Sequence, residues 1–254
     1  MRKRQKIQTM PWKIGLIGTG NIAAFWVEST RNLLDVSWYV KGITSDKATQ
    51  FCAQYNIGTL AKDTDLDMYI LAVNNDQIDR VILELPSHIP LFICAGFHQC
   101  QLPHVGYLYP LQTIHFDNLP ALKEVPFLVE FTKATELIGR KFLDNLQARY
   151  EVTTTKERML AHTMAVFVNN FTYFICKEAI GALPPSLDQS LFEPLLAKTI
   201  QNTFAKHDLQ TGPARRNDLH MIAQQGELLK AQHPELVEVY NAITLAIQKK
   251  YHEL

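Results

Sequence analysis

Lys13-Ile14-Gly15-Leu16-Ile17-Gly18-Thr19-Gly20-Asn21-Ile22-Ala23 is the stretch from which the fold of this 254-residue chain is read. An apolar, β-branched run ends in two glycines one residue apart, and an apolar-periodic stretch from Ile22 to Leu34 follows. That order predicts strand, glycine turn, helix. Gly18 permits a tight turn out of the strand. Gly20 carries no side chain, so a diphosphate can approach the backbone, and Ala23 lets the helix lie close to the sheet. The helix start then offers unpaired N–H groups and the positive end of its dipole to an anion. The same glycines also suit a turn used only for tight packing, and a lone match of this kind is weak; the elements that follow give it weight.

Working outward, Val36 to Ile43 reads as a second strand, and Thr44-Ser45-Asp46 caps a helix running to about Tyr55. Met68 to Val73 is a buried-type strand, followed by the Asn74-Asn75-Asp76 turn and a helix to about Leu85. Further strands are expected at Pro90 to Cys94, Val105 to Tyr109 and Pro126 to Val129. Strands alternating with helices at this spacing imply parallel βαβ units with right-handed crossovers. After about residue 131 the strand signals fade, except for Tyr150 to Thr154. Helices are expected near 133–148, 156–179, 187–206, 216–231 and 234–251, broken at Pro184-Pro185 and Gly212-Pro213. The fold class is therefore α/β: a Rossmann-type doubly wound parallel sheet over 12–130, then an all-helical domain over 131–254. Residues 1–11, with Arg2, Lys3, Arg4 and Lys6, read as a flexible basic end.

Composition narrows the function. Lys+Arg is 25 and Asp+Glu is 25, so there is no surplus of cation to displace counterions from nucleic-acid phosphate. With 47% hydrophobic and 20% charged residues, the chain is not of a disordered type. No apolar run approaches the roughly 20 residues that span a bilayer, so no membrane partner is expected. The basic amino terminus has no apolar core behind it and is not expected to be a secretory signal. Cys52, Cys94, Cys100 and Cys176 form no Cys-x-x-Cys pair and read as free thiols in a reducing cytoplasm. His98 and His104 flank a loop, but no nearby Asp, Glu or Cys completes a plausible ligand set, so no metal is expected. A small-molecule substrate remains.

The expected cofactor-binding set is Gly18, Thr19, Gly20, Asn21 and Ile22, with Thr44, Ser45 and Lys47 after the second strand and Val73 and Asn74 after the third. A site for NAD usually carries an acidic residue at the end of the second strand. Here Ile43-Thr44-Ser45-Asp46-Lys47 offers two hydroxyls and a cation, which suit a 2′-phosphate. Asp46 reads as a helix cap, so NADP is favoured over NAD, although Lys47 also suits an ordinary exposed helix position. In the helical half, His162 and Asn169 are seven apart and expected to share one apolar face, with Asn170 beside them. Polar groups on such a stripe need partners or a ligand; a satisfied core histidine is the bland alternative. Arg215, Arg216 and Asp218 follow the Gly212-Pro213 turn, where they suit either an anion or an ordinary ion pair, and Gln112-Thr113 leaves a strand of the first half.

Gly18-Thr19-Gly20-Asn21, Pro110-Leu111-Gln112-Thr113, the His162–Asn169 helix and Thr211-Gly212-Pro213-x-x-Arg216-x-Asp218 appear together and in this order. So arranged, they resemble a Rossmann-like oxidoreductase family of bacterial proteins, the domain of unknown function numbered 2520. That family is related to pyrroline-5-carboxylate reductase and to the 6-phosphogluconate and β-hydroxyacid dehydrogenases. The resemblance, over about residues 12 to 250, implies a nucleotide domain followed by a helical domain that builds a homodimer. It implies a site between the domains, with helix 156–179 beneath a nicotinamide. β-Hydroxyacid dehydrogenases place an acid–base Lys on the corresponding helix; this chain has His162 there instead, whose ordinary pKa is near neutrality. Two departures stand out. Cys94-Ala95-Gly96-Phe97 replaces a hydroxyl-rich segment, and Gln225 stands where relatives carry His.

The expectation is an NAD(P)-dependent reductase acting on a C=O or C=N of a small metabolite. His162 donates the proton, Asn169 and Gln112 orient the acceptor, and Arg216, beside Asp218, holds a substrate carboxylate. The rival reading is a non-catalytic NADP(H)-binding sensor or scaffold. An acyl-binding or methyl-transfer use of the fold comes third.

Overall fold

Trp12–Ile17 (β1) is hydrogen-bonded on both edges, to Val36–Lys41 (β2) and Met68–Leu71 (β4), both parallel to it. A strand covered on both faces can be apolar on both, which explains its buried run from Ile14 to Ile17. The computed structural model describes residues 11–33, 35–42 and 44–252; the basic segment 1–10 and Ile43 lie outside them. The remaining strands are Gly58–Thr59 (β3), Leu91–Ile93 (β5), Val105–Pro110 (β6), Phe127–Glu130 (β7) and Tyr150–Val152 (β8). They form one sheet in the order β3-β2-β1-β4-β5-β6-β7-β8.

The sheet is mostly rather than wholly parallel: β7 runs antiparallel to β6, and β8 is parallel to β7. Alternation of elements did not reveal this. The chain leaving β6 folds over the carboxyl edge of the sheet, where the Phe116 N–H donates to Asn21 Oδ1 at 3.2 Å. It crosses neither face, so the next strand starts at that edge and runs back. The two-residue β3 was also not expected.

Helices cover both faces. Asn21–Thr30 (α1), Ser45–Tyr55 (α2) and Glu136–Asn145 (α4) share one core with Trp26, Phe127 and Phe142, while Asn75–Glu84 (α3) covers the other with Ile78, Val81 and Ile82. Ala23 is fully buried, as its place in the motif requires.

By packing, the chain divides into residues 1–171 and 172–254, later than the boundary at 130 expected from fading strand signals. β8 extends the sheet and Leu143 of α4 fills its core, so these segments belong to the first unit. Thr155–Ala165 (α5) also belongs there and continues through a π-helical segment, Val166–Phe171. The second unit holds Thr172–Gly181 (α6), Glu193–Thr203 (α7), Pro213–Arg216 (α8), Leu219–Gln232 (α9) and Val237–Tyr251 (α10). The single helix expected over 216–231 is split because Asn217 adopts left-handed φ 56° and Asp218 caps a new helix. Within this unit only Ala214 and Gln248 are buried among the described residues. The helix 155–181 is 27 residues long, and its most apolar 18-residue window has mean hydropathy 1.2. By length and composition alone it is long and apolar enough to cross a membrane, contrary to the expectation that no segment would be.

Candidate active site

Gly18 has φ 117°, and a Cβ there would collide with the Ala72 carbonyl oxygen, so only glycine makes this turn. Gly20 is different. It sits at the N-cap of α1 in extended backbone, and a Cβ built on it meets nothing within 4 Å. Its missing side chain leaves open space at a helix start whose cap has no side-chain hydrogen bond. That space belongs to a pocket of about 340 Å³ bounded by Gly18, Thr19, Gly20, Lys47, Val73 and Asn74. Gln50, Gln54 and Phe116, not singled out in the sequence, line it as well.

The other expected cofactor residues are placed as follows. Asn21 gives its side-chain oxygen to the Phe116 N–H, and Ile22 packs against the core. The Thr44 hydroxyl accepts from the Lys47 N–H as the cap of α2, a role the sequence gave to Asp46. Ser45 opens that helix.

A second pocket, about 600 Å³, lies at the carboxyl end of β6. Tyr109, Leu111, Gln112 and Thr113 form one wall; Ala161, Met164, Ala165, Val168 and Asn169 form the other. Thr113 here and Phe116 in the first pocket are three positions apart, so about 10 Å of chain at most links the two. Gln112 is held at both ends of its amide: Nε2 donates to Glu124 O at 3.2 Å and Oε1 accepts from Thr113 N at 2.9 Å.

His162 does not line this pocket, although the seven-residue spacing predicts that it shares Asn169's face. The π-helical turns at 166–171 are wider than α-turns and rotate Asn169 toward the stripe of Ala161, Ala165 and Val168. The His162 ring packs on Gly96, where any Cβ would strike it, and its Nδ1 lies 3.0 Å from the Tyr109 hydroxyl. Burial, and then the positive charge of Arg158, hold the His162 pKa below its ordinary value; burial pushes that of Tyr109 up.

Arg158 places this pair. Thr154 and Glu157 form a capping box that starts α5, and the Thr155 hydroxyl donates to Glu130 Oε1 at 2.6 Å. One turn on, Arg158 is fully buried. It donates to the carbonyls of Ala95, Gly96 and His98 at 3.0, 2.9 and 2.8 Å and pairs with Glu130 at 3.2 Å. Its guanidinium lies 3.6 Å from the centre of the Tyr107 ring. A buried cation is tolerable only when its donors are met in this way. The result fastens α5 to the 95–98 loop and sets His162 one turn further along. The sequence reading missed Arg158, Tyr109 and Gly96; the available signals were the i, i+4 spacing of Arg158 and His162 and a tyrosine directly before Pro110.

Elsewhere, the loop carries no hydroxyl: the thiol of the partly buried Cys94 accepts from Trp26 Nε1 at 3.2 Å, and burial pushes its pKa up to about 12. His98 Nε2 pairs with Asp79 at 3.0 Å, a carboxylate the sequence did not place near it. No group of three metal-ligating side chains occurs among the described residues. In the second unit, Arg216 is exposed at the end of α8, and the Asp218 carboxylate accepts from Met221 N at 3.1 Å as a helix cap. Arg215 stacks on Tyr251, 4.1 Å from its ring centre.

Residues 125–247 match the family described as a domain of unknown function, DUF2520. The match covers just under half of the chain. It includes β7, β8, α5 with Arg158 and His162, and the Asp218 cap, while the glycine turn precedes it. Within it, Gln225 accepts from the Tyr240 hydroxyl at 2.9 Å.

Solved structures carry the likeness across nearly the whole chain. A Bacteroides fragilis protein described as a candidate NADP oxidoreductase is 22% identical with a TM-score of 0.79, covering 94% of this chain and 98% of that one. A Thermotoga maritima protein is 17% identical with a TM-score of 0.66 over 93% and 97%. The 1-pyrroline-5-carboxylate reductase of Streptococcus pyogenes is 13% identical with a TM-score of 0.56 over 95% and 98%. At these identities the shared property is the fold: a Rossmann-type sheet ahead of the helical part of the DUF2520 segment. No curated protein matches the chain.

Proposed function

We propose that this protein is an NAD(P)-dependent oxidoreductase acting on a C=O or C=N group of a small metabolite. The observation that carries the reading is Gly20: a helix amino terminus opens on a pocket that a Cβ, and hence almost any other residue, would begin to fill. The residues present fit a dinucleotide. Backbone N–H groups at 19–22 would hold its diphosphate, and Lys47, with Thr44 near it in sequence, favours the 2′-phosphate of NADP over the diol of NAD. A nicotinamide cofactor, when bound, supplies hydride. The chain supplies the rest: Leu111, Met164 and Val168 keep water from the acceptor, Asn169 and Gln112 orient it, and the Tyr109–His162 pair holds the proton. The name of the Bacteroides structure supports the same chemistry.

The second unit leaves Phe174, Leu195, Ile200 and Leu228 about half exposed or more. Such a unit needs apolar cover, and this exposure supports the reading that a second copy provides it in a homodimer.

Fluorescence titration of the purified chain with NADPH and NADH tests the proposal. Saturable binding with tighter NADPH supports it; no binding of either at millimolar levels overturns it. The partly buried Cys94 in place of a hydroxyl favours one rival, a non-catalytic NADP(H) sensor. Binding without turnover across imines, keto acids and aldehydes would select that rival.

A further inference from the structure

Resting on the oxidoreductase reading above, we infer that Tyr109 is the catalytic residue that hands the proton to the substrate, with His162 behind it as a positioning and proton-return residue. Three observations on one unit carry this. Tyr109 lines the 600 Å³ pocket and His162 does not. The His162 ring is confined between Gly96, where no Cβ fits, and the Tyr109 hydroxyl, 3.0 Å from Nδ1. The helix stripe facing the pocket is Ala161, Met164, Ala165, Val168 and Asn169, with no acid or base among them. Tyr109 is thus the most acidic proton donor of the lining, the Thr113 hydroxyl being a far weaker acid, and the walls around it are mostly apolar, which suits a neutral aldehyde, ketone or cyclic imine.

The step balances. The carbonyl carbon receives hydride, two electrons and a proton nucleus, from a reduced nicotinamide. The Tyr109 O–H bond breaks as a new O–H (or N–H) bond forms on the acceptor. Nδ1–H of His162 returns a proton to the phenolate oxygen while Nε2 takes one from water, so the imidazole exchanges tautomers and stays neutral. The lowered pKa of His162 agrees with a neutral ring, and the raised pKa of Tyr109 keeps the phenol protonated between turnovers.

The test uses the full chain as wild type, Tyr109→Phe and His162→Gln, with NADPH and a panel of neutral aldehydes and cyclic imines. Tyr109→Phe is expected to lower kcat about 10²–10⁴-fold with NADPH affinity unchanged. His162→Gln is expected to lower kcat only about tenfold and to displace the acid limb of the pH–rate profile. Without substrate or cofactor, imidazole ¹⁵N NMR should show the His162 tautomer balance change in Tyr109→Phe. If that variant fails to fold, 3-fluorotyrosine at position 109, a more acidic phenol, should move the alkaline limb to lower pH. The inference is overturned if Tyr109→Phe stays within about threefold of wild type while His162→Gln is inactive. It is equally overturned if the His162 resonances ignore the Tyr109 hydroxyl, or if wild type binds NADPH yet reduces no neutral acceptor; both results leave the cofactor reading standing. Failure to bind NADPH removes the oxidoreductase reading and this inference with it.

Discussion

Nδ1 of His162 and the hydroxyl of Tyr109 lie 3.0 Å apart, although 53 residues separate them in sequence. The contact exists because Gly96 yields room for the imidazole and Arg158, one turn earlier on the same helix, locks α5 to the 95–98 loop. The titratable pair so held lies at the edge of the 600 Å³ pocket.

The two glycines of the turn should respond oppositely to alanine. Gly20→Ala meets no atom, so its melting temperature should stay near wild type while NADPH affinity falls at least about tenfold, since the methyl group occupies the diphosphate's approach. Gly18→Ala, with φ 117° and the Ala72 carbonyl in the way, should lose about 1–3 kcal/mol of stability before any ligand is considered. Thermal melts and calorimetric titration of both variants distinguish the two effects.

Lys47 lines the 340 Å³ pocket at the glycine turn. Lys47→Ala should weaken NADPH binding about tenfold and leave NADH nearly unchanged, because only the former carries a 2′-phosphate. Equal losses for both nucleotides would show that Lys47 does not read that group.

Removing the buried guanidinium should be costly. Arg158→Met strands the Glu130 carboxylate and three loop carbonyls and should destabilise the protein by about 3–5 kcal/mol in denaturant melts. In the folded fraction the His162 pKa should rise as the Arg158 charge disappears, yet stay below its ordinary value, because burial is the larger cause.

His162 also predicts a pH dependence of stability. Its folded pKa lies below that of the unfolded chain, so above about 6.5 the ring is neutral in both states and adds no slope. As pH falls below that point the unfolded chain takes up the proton first, and stability falls until the folded pKa is also passed. His162→Gln should flatten this part of the acid-side decline in urea midpoints measured across the histidine range. An unchanged slope would place the titrating group elsewhere.

Much of this was legible from residue order. The apolar run 13–17, the glycines and Ala23 carry their own backbone and packing requirements, so strand, turn and helix could be read directly, and so could Lys47, Val73 and Asn74 at the ends of neighbouring strands. These are local constraints: φ space, side-chain size and helix-end hydrogen bonds act within a few residues. The reversal of β7, the division at 171, the rotation of Asn169 by π-helical turns and the withdrawal of His162 behind Tyr109 depend instead on groups brought together from far apart. Arg158 meets carbonyls 60 to 63 positions away, and the space beside Gly96 is defined by a helix that the loop sequence does not encode. Sequence alone thus determined the bare glycine turn at a helix start. Tertiary structure decided that Tyr109 rather than His162 lines the neighbouring pocket, because close packing sets side-chain direction only after the sheet and its covering helix have met.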